Sequence, residues 1–302
     1  MNARFKSEAD FRRALEARLA NAARAAGRGL VRERQVCIFE RFLARASEAD
    51  PRLVIKGGMA LELRTQRARS TRDIDLRALG DVAQFERSLR ELGEADVGDY
   101  LRFRVDAHAK PDIEAAGMKY PGRRYRVQAN LAGKVYGDPF GVDVAFGEPI
   151  LGAPERLRGR ADLSFIGVEP PELAVQPRAT HIAEKLHAYT VPRPTPNSRV
   201  RDLPDLALLA SVGPIEASTV REAIEQTFAH RATHAMPTSL PAAPERWRAP
   251  YGELAASNRL SWGDLDAVHA AARTFVDPIL GDAHGHWLPA PWEWAAVERR
   301  DE

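Results

Sequence analysis

The sequence predicts an α+β fold, with a mixed sheet and flanking helices in its front half and a helical back half. Three observations predict it. Short apolar or alternating segments with strand character fall between residues 53 and 148. Amphipathic helical periods precede and interrupt them. Beyond about residue 150 the strand signals give way to helical ones, separated by proline-rich stretches at 192–196 and 237–250.

Residues 7–26 predict a first helix, with Ser7 and Asp10 at its cap and Phe11, Leu15 and Leu19 recurring every fourth position. A second covers about 31–47, where Val31, Cys37, Ile38, Phe42 and Leu43 are apolar. A strand at 53–56 leads into a helix opening at Gly57 and Gly58. A strand at 72–79 follows, then a helix at 81–92 capped by Asp81. Segments 100–110 and 124–137 alternate as half-buried strands do, and 140–148 reads as a further strand. The stretch 152–163 reads as a connector, and helices are expected at 178–190, 203–212, 215–230 and 261–280. The expected division is a first domain at 1–160, with its N-terminal helices, and a helical C-terminal domain at 161–302.

Composition narrows the classes. The chain has 302 residues and a net charge of +2, from 44 basic against 42 acidic residues, so it is no polycation. No run approaches the roughly 18 apolar residues of a membrane span, and the N-terminus lacks the apolar segment of a secretory signal. A single cysteine, Cys37, excludes an intramolecular disulfide framework and sits among apolar neighbours as a core residue would. These features lead us to expect a cytoplasmic protein that does not engage a membrane.

The most informative stretch is residues 54–79, VIKGGMALELRTQRARSTRDIDLRAL. In a strand, residues i and i+2 share a face about 6.6–6.8 Å apart, so Asp73 and Asp75 would stand side by side with Ile74 and Leu76 behind them. A bare D-x-D is more often a solvated strand edge than a metal site. The upstream glycines add a second feature, because Gly57 and Gly58 follow an apolar strand and open a helix whose N–H groups can approach a phosphate. Strand, Gly-Gly, helix and a D-x-D strand is the layout of polymerase-β-type nucleotidyltransferases. Paired carboxylates there hold Mg²⁺ against substrate phosphates. Asp143, flanked by Val142 and Val144, is suited to be a third carboxylate, and a buried strand aspartate needs a partner.

At this point the chain resembles the AbiEii-type nucleotidyltransferase toxins of bacterial toxin–antitoxin systems. The resemblance rests on KGGMALELR…RSTRDIDL, FGVDVAFGE, ATHIAEKLHAYTVPRP…RVRDLPDLALL and a looser stretch near the end, together spanning roughly residues 50–280. It implies a polymerase-β-like nucleotidyltransferase core and Mg²⁺-dependent transfer of a nucleotide from an NTP onto RNA, with the 3′ end of tRNA as acceptor. It also implies a block of translation and growth, and a cognate antitoxin partner. By resemblance the metal aspartates are Asp73 and Asp75, with Asp143 as the third carboxylate. The nucleotide-binding residues are Lys56, Gly57, Gly58, Thr71 and Lys185, and Lys185 and Asp205 complete the catalytic set. Met59 departs from the Thr or Ser usual after the glycine pair. An antibiotic-type small-molecule nucleotidyltransferase and a non-catalytic RNA- or partner-binding member are the alternatives.

Read from the residues alone, Lys185 borders a stripe of Ile182, Leu186 and Tyr189 and could be a snorkelling surface group. Asp202 and Asp205 suit a helix cap and first-turn charge. His181 and His187 do not share a helical face, which excludes a metal pair, and the HGH at 284–286 reads as loop. Arginines gather at 64, 67, 69 and 72, at 123, 124 and 126, and at 193, 199 and 201, which could form an RNA-binding rim. Trp287, Trp292 and Trp294 are expected to pack the tail against the helical half.

Overall fold

A computed structural model describes residues 5–65, 71–113, 120–192, 199–282 and 284–296. Ser7 starts the first helix, α1 (Glu8–Ala25), its hydroxyl accepting from the Asp10 N–H at 3.1 Å. Phe11, Leu15 and Leu19 form its buried stripe, as their spacing predicts. Helix α2 (Leu30–Ala49) buries Val36, Cys37, Ile38, Phe39, Phe42 and Leu43, whereas Val31 faces solvent. Burial pushes the Cys37 thiol up to about 12, so it is inert packing.

The next elements build the sheet. Strand β1 (Val54–Lys56) runs straight into helix α3 (Gly57–Thr65), followed by β2 (Asp73–Ala78) and by α4 (Val82–Glu94), which Asp81 caps. Then come β3 (Leu101–Asp112), β4 (Gly122–Leu131), β5 (Lys134–Val135) and β6 (Phe140–Phe146). The stretch read as one strand at 124–137 is a hairpin, because Ala132 and Gly133 take positive φ and turn the chain back on itself.

The expected connector at 152–163 supplies β7 (Glu155–Arg158), and residues 172–175 supply β8 (Glu172–Val175). The described strands form an eight-stranded sheet in the order β3-β4-β6-β2-β1-β8-β7, with β5 paired to β4. Strand β2 lies parallel to β6 and antiparallel to β1, while β1 lies parallel to β8, so the sheet is mixed. The first hydrophobic core therefore continues past residue 160, through Leu163, Ile166, Leu173 and Val175.

The back half is helical: α5 (Arg178–Thr190), α6 (Asp202–Ala210), β9 (Ile215–Glu216), α7 (Ala217–Arg231), α8 (Arg248–Asn258) and α9 (Leu265–Leu280). Helix α8 starts inside the stretch that its prolines mark as a separator. Pro250 sits in its first turn, where the missing N–H costs nothing. Helix α9 starts four residues later than its apolar period suggests, at the Asp264 cap. Strands β10 (His286–Leu288) and β11 (Glu293–Ala295) close a small sheet with β9. They seat the three tryptophans on the second core: Trp287 donates to the Ala210 carbonyl, Trp292 to Ala271 and Trp294 to Phe275. Helix α3 joins the two cores, since Met59, Ala60 and Leu63 belong to the first and Leu61 to the second. No helix among the described residues is long and apolar enough to cross a membrane.

One buried ionic knot ties α2 to the sheet. Asp99, fully buried, accepts from Arg41 at 2.7 Å and from both terminal nitrogens of Arg45 at 2.9 and 2.7 Å. Burial alone would raise its carboxyl, but the arginines outweigh it and hold the group ionised. Asp99→Ala strands two buried guanidinium groups, so urea unfolding should show a loss of about 3–5 kcal/mol. A loss under about 1 kcal/mol would mean that the knot is structurally idle.

Candidate active site

Strand pairing sets one row of charged side chains across four strands. Lys56 on β1 lies opposite Asp75 on β2, Asp75 beside Asp143 on β6, and Asp143 opposite Arg124 on β4. The order is cation, anion, anion, cation. One step along, Asp73 lies beside Gly141, and Gly141 opposite Arg126. The intervening Ile74, Leu76, Val142 and Val144 are buried in the first core, so alternation presents Asp73, Asp75 and Asp143 on the opposite face as their sequence spacing predicts.

Glycines make the room. Gly57 has φ +57°, and a Cβ there would run into the Asp75 carboxylate. A Cβ on Gly58 would stand 2.6 Å from the Thr71 hydroxyl, which donates to the Asp73 carbonyl at 2.9 Å. A Cβ on Gly141 would lie 2.7 Å from the Asp73 carboxylate, which accepts the Gly141 N–H at 3.3 Å. The N-terminus of α3 is thereby fitted closely over the aspartates, with Thr71 fixing the turn into β2. Met59, where Thr or Ser is usual, is fully buried in the first core, so that departure falls on a packing position.

Asp75 is partly buried, and its burial pushes the carboxyl up. Asp143 pushes it further, while Lys185 and Lys56 pull it down. Both lysines therefore act on the same carboxylate. Lys185 reaches Asp202 at 3.0 Å and the fully buried Asp205 at 2.7 Å. Asp205 is a first-turn acid of α6 as expected, while Asp202 is the helix's first residue and not its cap, which is Arg201; both aspartates also fix this lysine.

Lys56 is held at 2.5 Å by Glu148 and at 2.8 Å by Glu184, with Arg231 3.5 Å from each glutamate. Burial alone would lower the Lys56 ammonium, but Glu184 and Glu148 outweigh it and raise it. Neither glutamate stands out in the sequence, although both lie inside stretches that carry the resemblance. Their adjacency to Asp143 and Lys185 was the available signal.

The arginine runs divide. Arg64 is buried and occupied by Glu155 and the Gln176 carbonyl, so it belongs to the scaffold and not to a rim. Arg123 pairs with Asp112, and Arg124 grips Asp143 with Nε at 2.7 Å and Nη2 at 2.6 Å. Arg199 lies 3.7 Å from Asp202, while Arg72, Arg126 and Arg201 are exposed. Arg67, Arg69 and Arg193 lie outside the described residues. His181 is buried and kept neutral, first by burial and then by Lys185, and His187 pairs with Thr233.

The donor set of Asp73, Asp75 and Asp143 is oxygen only, which suits Mg²⁺. Among the described residues no three acidic, imidazole or thiol groups close on one point as ligands. Both oxygens of Asp143 face Arg124 instead. Two carboxylates one strand apart, crowded enough to raise Asp75, still form a place where added positive charge is favoured.

The fold is similar to that of MenT4, a nucleotidyltransferase toxin from Mycobacterium tuberculosis H37Rv, with a TM-score of 0.59 at 22% identity, covering 87% of this chain and 89% of that one. JHP933 from Helicobacter pylori matches with a TM-score of 0.40 at 16% identity, covering 79% of this chain and 93% of that one. A likeness so slight adds nothing to the assignment. No curated protein matches the sequence. The model of the nucleotidyl transferase AbiEii toxin family, of type IV toxin–antitoxin systems, matches residues 41–272, and the chain belongs to that family of nucleotidyltransferase toxins.

Proposed function

We propose that this nucleotidyltransferase uses Mg²⁺ to transfer NMP from an NTP to RNA, with the 3′ end of tRNA as acceptor, and so blocks translation and growth in the cytoplasm until a cognate antitoxin restrains it. The observation that carries this reading is the side-by-side register of Asp75 and Asp143, with Asp73 one step away and the N-terminus of α3 directly against them. Bound by these carboxylates, two Mg²⁺ ions would supply Lewis-acid polarisation at the α-phosphate and neutralise charge on the departing pyrophosphate.

The chain's own groups then have distinct tasks. N–H groups at Gly57 and Gly58 face the triphosphate, helped by the helix end they open. Thr71 keeps Asp73 and the glycine turn in register. Lys185, fixed by Asp205, brings positive charge to the pyrophosphate side. Lys56 is tied to Glu148 and Glu184, so it contributes a fixed charge beside Asp75 and not a mobile phosphate ligand. The exposed Arg72, Arg126 and Arg201 supply contacts for an RNA backbone.

Three outcomes follow. Incubated with Mg²⁺, total bacterial tRNA and each labelled NTP in turn, the protein should label RNA 3′ ends from one nucleotide, and the Asp73→Ala protein should not. Absence of label with every nucleotide would overturn tRNA as acceptor and direct the search to small acceptors. Lys185→Ala should lower kcat by about 10²–10³-fold in the same assay. Unchanged kcat would remove this lysine from the chemistry. Gly57→Ala, which pushes a methyl group against Asp75, should lower kcat/KM by about 10²-fold while circular dichroism stays native. Full activity would show that the fit of α3 against the aspartates is loose.

A further inference from the structure

Arg124 and Lys56 end the same row, yet their surroundings differ. The Lys56 side chain is 12% exposed and held by two glutamates. The Arg124 side chain is 42% exposed, and its fork covers both oxygens of Asp143. The positive field of Arg124 also reaches Asp73 and Asp75, the other two carboxylates. The cation nearest the third carboxylate is therefore a half-exposed, long and flexible side chain. It occupies the very oxygens that a divalent ion would use.

We infer that Arg124 is a displaceable internal cation that holds Asp143 until metal loads, then releases it and pairs with a backbone phosphate of the acceptor RNA. Three observations support this. A bidentate guanidinium neutralises a carboxylate as an ion does, so carboxylates that would repel one another can stay together without metal. A half-exposed pair is weak enough to be broken by an incoming divalent ion. The direction of release follows from the row. Helix α3 springs from the Lys56 end, which puts the nucleotide there, whereas Arg124 lies at the far end beside the exposed Arg126. A guanidinium freed at that end meets the acceptor and not the triphosphate.

This inference rests on the reading of the site as a metal-dependent transferase, and its test separates the two. Mn²⁺ affinity is measured by calorimetry, without nucleotide, on the full-length chain and on Arg124→Gln, Arg124→Lys and Asp73→Ala. Thermal midpoints confirm that each variant is folded. Arg124→Gln should bind Mn²⁺ about three- to tenfold more tightly than the native chain, with Arg124→Lys between them.

In steady-state assays Arg124→Gln should raise KM for tRNA and leave KM for the NTP unchanged. The salt slope of tRNA affinity should fall by about one. Equal or weaker Mn²⁺ binding by Arg124→Gln, with both proteins well above Asp73→Ala, overturns the role of Arg124 alone. Mn²⁺ binding no better than that of Asp73→Ala in every protein overturns the metal reading as well. A rise in KM for the NTP in place of the tRNA overturns the acceptor assignment.

Discussion

The structure is organised around like charges that must stay together. The parallel register of β2 and β6 puts Asp75 directly beside Asp143. Strands lie about 4.8 Å apart, and two unit charges at that distance repel by about 3 kcal/mol at an effective dielectric constant of 20. That is a large share of the roughly 5–15 kcal/mol by which a domain is stable. The molecule answers with cations at both ends of the row and with Lys185 from the helical half. It also clears space with glycine wherever a carboxylate needs it, at Gly57 for Asp75 and at Gly141 for Asp73.

The same constraint explains why the site lies where two cores meet. Helix α3 is short, and its side chains divide between the cores. Its N-terminus is fixed by β1 and Thr71, its C-terminus by the clamp of Arg64 on Glu155 and Gln176. Two adjacent residues of α5 then reach opposite ways: Glu184 to Lys56 in the sheet, Lys185 to Asp205 in α6. Helix α5 is thus both a wall of the second core and the carrier of charge to the first. Packing in the helical half sets the position of a lysine that acts on a carboxylate of the sheet.

What the sequence shows directly is local. The D-x-D spacing, the glycine pair, the caps at Ser7 and Asp81 and the apolar stripe of α1 follow from periodicity and backbone chemistry, whereas the Asp264 cap of α9 shows only in the fold. Strands β7 and β8 are hard to read because each is only four residues long and β7 is rich in charge, so their character comes from the neighbours they join. Helix α8 was hidden by prolines that act as breakers only in a helix interior. The partners of the charged residues were illegible for a different reason. Arg124 and Asp143 are 19 positions apart, and Lys56 and Glu148 are 92 apart. Only sheet register tells which of many arginines and glutamates meet, and register is a property of the folded chain.

That distinction also gives the row a direction. A lysine locked between two glutamates is a permanent charge, since moving it would leave both carboxylates with only the more distant Arg231 in a poorly hydrated place. An arginine with an ion pair open to solvent on one side can exchange carboxylate for phosphate at small cost, because both bind the same planar fork and water screens the intermediate stages. In the proposed reaction the fixed cation stands at the nucleotide end of the row and the displaceable one at the acceptor end. The row therefore has a rigid end, which suits a substrate of constant shape. Its adaptable end suits a polymer whose phosphates arrive in more than one geometry.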